Sequence, residues 1–423
     1  MKDKISNLFD KMNPFFDKVS NNVYLQAISG AMMSTLAPIF IGSISLLLLI
    51  FGSNVEFLQN NPAILQTLSQ VNSVTIGGLS LYLSVTIAAS LVSRMKPGEN
   101  VVTPAIISLM SFLIITPLDT VDEASVIPMN WLGAQGVFSA MIIGLSVARI
   151  YIAIKNQGWT IKMPEGVPPM VTAMMEGLIP AVLIGLIVIM VNILFALTSF
   201  GNMHEFIYTI IQKPLQGVGG SLGAMIALSL LQQILWFFGI HGTNVIMPIV
   251  TPIWLALDVQ NMETIAAGGT PENIIGLAFF NIVTWGGTAL GLTLLMLRAK
   301  SQMYRQIGKV SIVPALFGIT EPAIFGTPLV LNFRLMVPFI TNNTIAIILS
   351  YFLTRIGIVD IFPGVQAIFG LPLGFYAAIQ GSLSIILLHL FIQLILSPIL
   401  WFPWFRALDR EQYLIEQEAA KKQ

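Results

Sequence analysis

The sequence predicts an all-α polytopic membrane protein of about ten transmembrane helices, with two re-entrant hairpins and amphipathic interfacial helices. Three observations predict it. Of 423 residues, 55% are hydrophobic and only 9% charged, too few charges to clothe a soluble surface of that size; mean hydropathy is +0.83. Long apolar runs recur along the chain with short loops between them. Lys and Arg fall in alternate loops, the signature of a chain threaded back and forth across a bilayer.

Taken in order, residues 1–22 open with Ile5, Leu8, Phe9, Met12, Phe16 and Val19 on one face and Lys and Asp on the other. That pattern describes a cytoplasmic amphipathic helix lying on the membrane, not a secretory leader. Apolar runs near 24–51, 74–93, 101–118, 131–154 and 171–200 follow, making a membrane domain over residues 23–200. The more polar stretch 201–218 reads as an amphipathic linker. A second domain, 219–405, carries runs near 219–240, 245–257, 275–297, 334–353 and 382–403, and 406–423 form a cytoplasmic tail. The run at 245–257 is short for a span. Residues 310–333 and 356–381 are apolar but interrupted by Pro and Gly, so each is expected as a re-entrant hairpin lining a cavity, the first starting from the loop that ends at Lys309. Trp401 and Trp404 read as interfacial belt residues. The segments 52–73, 119–130 and 258–274 hold no Lys or Arg, whereas the N-terminus, 94–99, the loop carrying Lys155 and Lys162, 298–309 and the C-terminus do. Both termini are therefore expected in the cytoplasm.

Composition also excludes functions. The formal net charge is zero, which gives no basis for nucleic-acid binding. Cysteine is absent, ruling out disulfides, thiolate metal ligands and a cysteine nucleophile on this chain. No cofactor and no metal are expected.

The polar residues inside apolar sequence carry the functional signal, because an ionisable group at membrane depth costs about 2.5–3.5 kcal/mol on insertion scales. "FFGIHGTNVIMPIVTP" places His241 between Gly239 and Gly242, with Asn244 after it and Gln233 and Trp236 on the preceding helix. "LFGITEPAIFGTPLVLN" places Glu321 after Thr320 and before Pro322, at the expected start of a half-helix. Glu, His, Asn, Gln and Trp suit a sugar: hydroxyls need donors and acceptors, and a pyranose face stacks on an indole. Thr320 and Asn332 flank the Glu motif and join the substrate-binding candidates. His204 and His389 read as structural, and Glu176 as a carboxylate reaching for the cytoplasmic interface.

Together, "FFGIHGTN" and "FGITEPAIFGTPLVLN" resemble enzyme IIC, the membrane subunit of the bacterial phosphoenolpyruvate-dependent sugar phosphotransferase system, in its lactose/cellobiose/diacetylchitobiose family. "MPEGVPPMV" (163–171) and "LNFRLMVPFI" (331–340) are similar as well. The resemblance implies a homodimer in the bacterial cytoplasmic membrane, joined through its N-terminal spans. It implies an elevator-like C-terminal half holding a β-linked disaccharide, phosphorylated at its 6-hydroxyl by a phosphocysteine of enzyme IIB that is charged by enzyme IIA. With no cysteine here, the phosphoryl carrier is expected on a separate IIB chain. By motif match, Glu321 and His241 would contact the accepting hydroxyl as catalytic residues. An ion-coupled secondary sugar transporter without phosphorylation is the alternative, with Glu321 as its proton site; a sugar sensor lacking a partner IIB is a third.

Overall fold

The computed structural model describes residues 14, 18–19, 21–52, 56–164, 166–327, 329–368 and 370–421. The expected N-terminal helix over 1–22 lies almost wholly outside them. By internal contacts the chain forms two units. One contains Phe15–Val218 and Met247–Gly269; the other contains Gly219–Ile246 and Thr270–Gln423.

In the first unit, α1 (Val23–Ser34) begins where Asn22 Oδ1 accepts the N–H groups of Tyr24 and Leu25, satisfying donors that a helix start leaves open. α2 (Leu36–Gly52), α3 (Pro62–Thr75), α4 (Leu79–Met95) and α5 (Val102–Ile115) follow. A two-stranded hairpin pairs Asp119–Val121 with Ala124–Val126. α6 (Val137–Asn156) and α7 (Pro169–Ala196) come next. α4 packs extensively on α6, and the approach is close: a Cβ at Gly144 would sit 2.9 Å from Ile87.

α8 (Met203–Gly219) includes one π-helical turn at Tyr208–Gln212, and α9 (Leu222–Phe237) follows it after a short break. α10 (Gly242–Ala266) starts in the second unit and continues in the first. The second unit goes on through α11 (Leu277–Val283), α12 (Leu290–Leu297), α13 (Gln302–Ala315), α14 (Glu321–Gly326), α15 (Met336–Arg355), α16 (Phe375–Ala378) and α17 (Leu383–Lys421).

The chain is an all-α polytopic membrane protein. Eight helices among the described residues are long and apolar enough to cross a bilayer, or nine if the broken α8–α9 pair counts as one span. Several expectations change in detail. Segment 52–73 is not all loop, since α3 fills its end and runs on into α4. The run at 245–257 belongs to a 25-residue helix. The apolar pattern stops at Asp258, but Asp258 and Asn261 are buried, and Glu263 Oε1 accepts the Ala134 N–H at 2.9 Å; partnered polar groups let the helix extend. The run at 275–297 is two helices, broken where Gly286, Gly287 and Thr288 all take positive φ (56°, 61° and 51°). The 310–333 hairpin starts earlier than expected, because α13 begins at Gln302 and passes through Lys309. Residues 356–381 are mostly non-helical, with α16 as their one short helix among those described. Trp401 is not an interfacial belt residue: it is fully buried, and its indole N–H donates at 3.0 Å to the Thr288 carbonyl that the Gly286–Gly287 break leaves free. Trp404 is exposed.

Candidate functional site

The site is built from the end of α9, the start of α10 and the tip between α13 and α14. α9 stops at Phe237 because Gly239 adopts φ 83°, a left-handed conformation that closes helix ends, with the Ile240 N–H returning to the Leu235 carbonyl. His241 follows at the turn. Gly242 must be glycine for space: a Cβ there would lie 2.1 Å from the Gln232 carbonyl oxygen. The Asn244 N–H donates to the His241 carbonyl (2.9 Å) and, more weakly, to Nδ1 (3.3 Å). An Nδ1 that accepts leaves the hydrogen of the neutral ring on Nε2, so the imidazole offers a donor to whatever approaches its open edge. The Trp236 ring lies 4.3 Å from it, tilted 47°.

The facing element is the tip 316–321. Gly318 has φ 80°, and a Cβ there would collide with the Trp285 ring at 2.9 Å. Thr320 is buried, and its hydroxyl donates at 2.9 Å to the Gly286 carbonyl, fastening this tip to the break between α11 and α12. Glu321 then opens α14, with Pro322 beside it in the first turn, where a missing N–H is harmless and a carboxylate meets the positive end of the helix. Glu321 is exposed and within electrostatic reach of His241. Farther on, the Leu331 N–H donates at 2.9 Å to the Phe237 carbonyl, with Leu331 itself at φ 57°. That bond ties the Glu321 segment back to the end of α9.

The structure thus gathers His241, Trp236 and Asn244 on one side and Glu321 on the other. The remaining candidates stand differently. Thr320 gives its hydroxyl hydrogen to Gly286. Asn332 Oδ1 accepts the Arg334 N–H in a local turn. Gln233 is buried on α9. Two residues passed over in the sequence belong here: the Thr243 hydroxyl accepts from Trp236 Nε1 (3.3 Å) and Gln232 Nε2 (3.2 Å), fixing the indole's orientation. Gln232 keeps a buried Oε1 without a partner among the described residues. Its place one residue before Gln233 was the available signal. A buried core containing Phe237, Ile324, Leu335, Trp401 and Phe405 underlies both sides.

The other two histidines are structural by geometry. His204 is fully buried, within hydrogen-bond distance of Thr116 Oγ1 (3.0 Å) and stacked on Trp131. His389, equally buried, donates from Nδ1 to the Ile282 carbonyl at 3.0 Å. Glu176 does not simply reach for the interface: it pairs with Lys155 at 2.8 Å, and Lys155 also holds Glu99 at 2.5 Å.

A family model described as "Phosphotransferase system, EIIC" matches residues 29–342. The oligo-beta-mannoside-specific EIIC component of Bacillus subtilis (strain 168) is 33% identical over 98% of this chain and 97% of its own. The cellobiose-specific EIIC component of Geobacillus stearothermophilus is 29% identical over 98% and 96%. Among solved structures, ChbC, the IIC component from the N,N'-diacetylchitobiose-specific phosphotransferase system, superposes with a TM-score of 0.87 at 29% identity, covering 97% of this chain and 99% of that one.

Proposed function

Because the chain belongs to the phosphotransferase system EIIC family, we propose that it is the permease subunit that carries a β-linked disaccharide across the bacterial cytoplasmic membrane, coupled to phosphorylation at the sugar's 6-hydroxyl. The observation that carries this reading is the meeting of two broken segments, one presenting His241 and the other Glu321, with an indole beside the imidazole and no salt bridge to Glu321 among the described residues. The names of the relatives support the substrate class, since oligo-β-mannosides, cellobiose and diacetylchitobiose all carry β-linkages.

The chemistry follows from the groups present. A sugar hydroxyl is a weak nucleophile. Glu321 accepts its hydrogen bond, orients the oxygen and takes the proton as the oxygen attacks phosphorus. On the phosphocysteine of IIB the S–P bond breaks, the thiolate leaves with the electron pair, and the phosphoryl group passes to the sugar. Phosphoryl transfer asks the protein mainly for positioning. His241 supplies it by donating Nε2–H to a hydroxyl, and the Trp236 face receives the apolar side of the pyranose. IIA and IIB are the partners, both termini lie in the cytoplasm, and the chain works as a homodimer through its N-terminal unit while the site-bearing unit moves in elevator fashion.

The test uses vesicles holding the protein, with IIA, IIB and phosphoenolpyruvate-dependent donors supplied inside and labelled cellobiose or diacetylchitobiose outside. Internal sugar phosphate is the expected product. Accumulation of unmodified sugar driven by a proton gradient would replace this reading with secondary transport, and binding without uptake would replace it with a sensor.

A further inference from the structure

The N-terminus of α13 is capped from far away. A helix start needs one local cap, and Ser301 provides it by accepting the Tyr304 N–H on its hydroxyl at 3.3 Å. The donors that remain all go to the C-terminal helix α17. Asp409 accepts the N–H groups of Lys300 and Ser301, both at 2.9 Å. Glu416 accepts those of Gln302 (2.8 Å) and Met303 (3.1 Å) and the Ser301 hydroxyl (2.7 Å). Asp409 and Glu416 are seven residues apart, so they share one face of α17. Between them Glu411 pairs with Arg334, just before α15. Five donors converging on two carboxylates form a charge-assisted clasp.

Its two ends lead to the same place. α13 passes Pro314 and ends at Ala315, and the chain turns at Gly318 into Thr320 and Glu321. α17 carries Trp401 and Phe405 into the core shared with Ile324, one turn along α14 from Glu321, and with Phe237, four residues before His241. We propose that Asp409 and Glu416 are positioning residues for Glu321: by fixing the start of α13 on α17 they hold the carboxylate at its place against His241. This rests on the reading of Glu321 as the group that meets the accepting hydroxyl.

The test compares the full-length protein with its Asp409→Asn/Glu416→Gln variant in lipid nanodiscs. Both substitutions keep the shape but remove one acceptor oxygen and the charge. Amide hydrogen exchange is expected to quicken at 300–303 by about tenfold or more, as for loss of hydrogen bonds to charged groups. It should quicken at 316–324 as well, while α4 and α6 stay as in the parent. With IIA and IIB present, kcat for sugar phosphate formation should fall about tenfold with KM little changed, as misplacement of a reacting group predicts. Faster exchange confined to 300–303 with an unaltered kcat would overturn the proposal, and so would a uniform rise across the molecule, which marks plain destabilisation. If the double variant does not fold, Glu416→Gln alone, which keeps Asp409 and the Ser301 cap, is judged by the same readouts. The exchange comparison needs no sugar, so it decides the clasp separately from the substrate assignment.

Discussion

Two places put carboxylates beside a basic residue, and they do opposite things with them. In the first unit, Lys155 is held by Glu99 and Glu176, and Lys96 closes on Glu99 at 3.0 Å. Lys155 and Glu99 are each only 8% exposed by side chain, so the charges neutralise one another out of water. In the second unit, Glu321 and His241 stand exposed and close enough to feel each other, yet no salt bridge joins them and His241 is steered by a backbone N–H instead. A fully partnered cluster fastens α7 to α6 and the loop after α4. A pair whose hydrogen-bonding capacity is left open can receive a ligand.

That contrast breaks most visibly at Glu321. Glu321→Gln keeps the size and the fold but removes the proton acceptor, and sugar phosphorylation should fall by about 10²–10⁴-fold, the usual worth of a general base. A variant that forms sugar phosphate at the parent rate with IIA and IIB present would end the assignment. Next in size is Lys155→Met. It leaves Glu176 without its cation and Glu99 with Lys96 alone, and should lower stability by about 1–3 kcal/mol, below a fully broken buried pair because Glu99 keeps a partner, while sugar affinity in the surviving folded protein stays unchanged. Denaturation monitored alongside disaccharide binding checks both halves, and a selective loss of affinity would erase the distinction between the two regions. His241→Ala should weaken disaccharide binding by about 0.5–1.5 kcal/mol, the usual worth of a hydrogen bond between a neutral ring and a hydroxyl. Titration calorimetry on the purified protein measures it, and unchanged affinity would return His241 to the structural class of His204 and His389.

The smallest effect concerns acid. Burial by itself would raise the Glu99 carboxyl, but hydrogen bonds from Lys155 and Lys96 outweigh it and hold Glu99 below its ordinary value of 4.5. A depressed folded-state pKa gives stability that is complete above the unfolded value and fades as pH falls through the folded one. The stability gap between the parent and Glu99→Gln should therefore be flat above about pH 4.5 and shrink below it. A gap that widens on acidification would contradict the pairing.

Most of the architecture could be read from the chain because lipid forces the backbone to satisfy itself, so apolar length translates directly into helix. The reading failed where polar groups find partners inside. Asp258 looked like the end of a helix and is buried within one. Trp401 looked like a membrane anchor because sequence does not show that Thr288, 113 residues earlier, would free a carbonyl for it. The Gly286–Gly287 pair was visible, but flanking apolar residues masked the break. At the site, His241, Glu321 and Trp236 were legible because charge and aromaticity are conspicuous in apolar sequence. Thr243 and Gln232 were not: a hydroxyl and an amide that orient an indole look like any other polar residue until the helices meet.

Leu331 carries a consequence for anyone wishing to engineer this protein. A leucine at φ 57° sits in a backbone conformation that costs an L-residue about 1–2 kcal/mol, and the residue is 52% exposed, so packing returns little of that. Asparagine tolerates the same conformation far better than leucine. Position 331 therefore offers thermostability in reserve, reachable by one substitution that leaves the bond from its N–H to Phe237 and every candidate sugar contact in place.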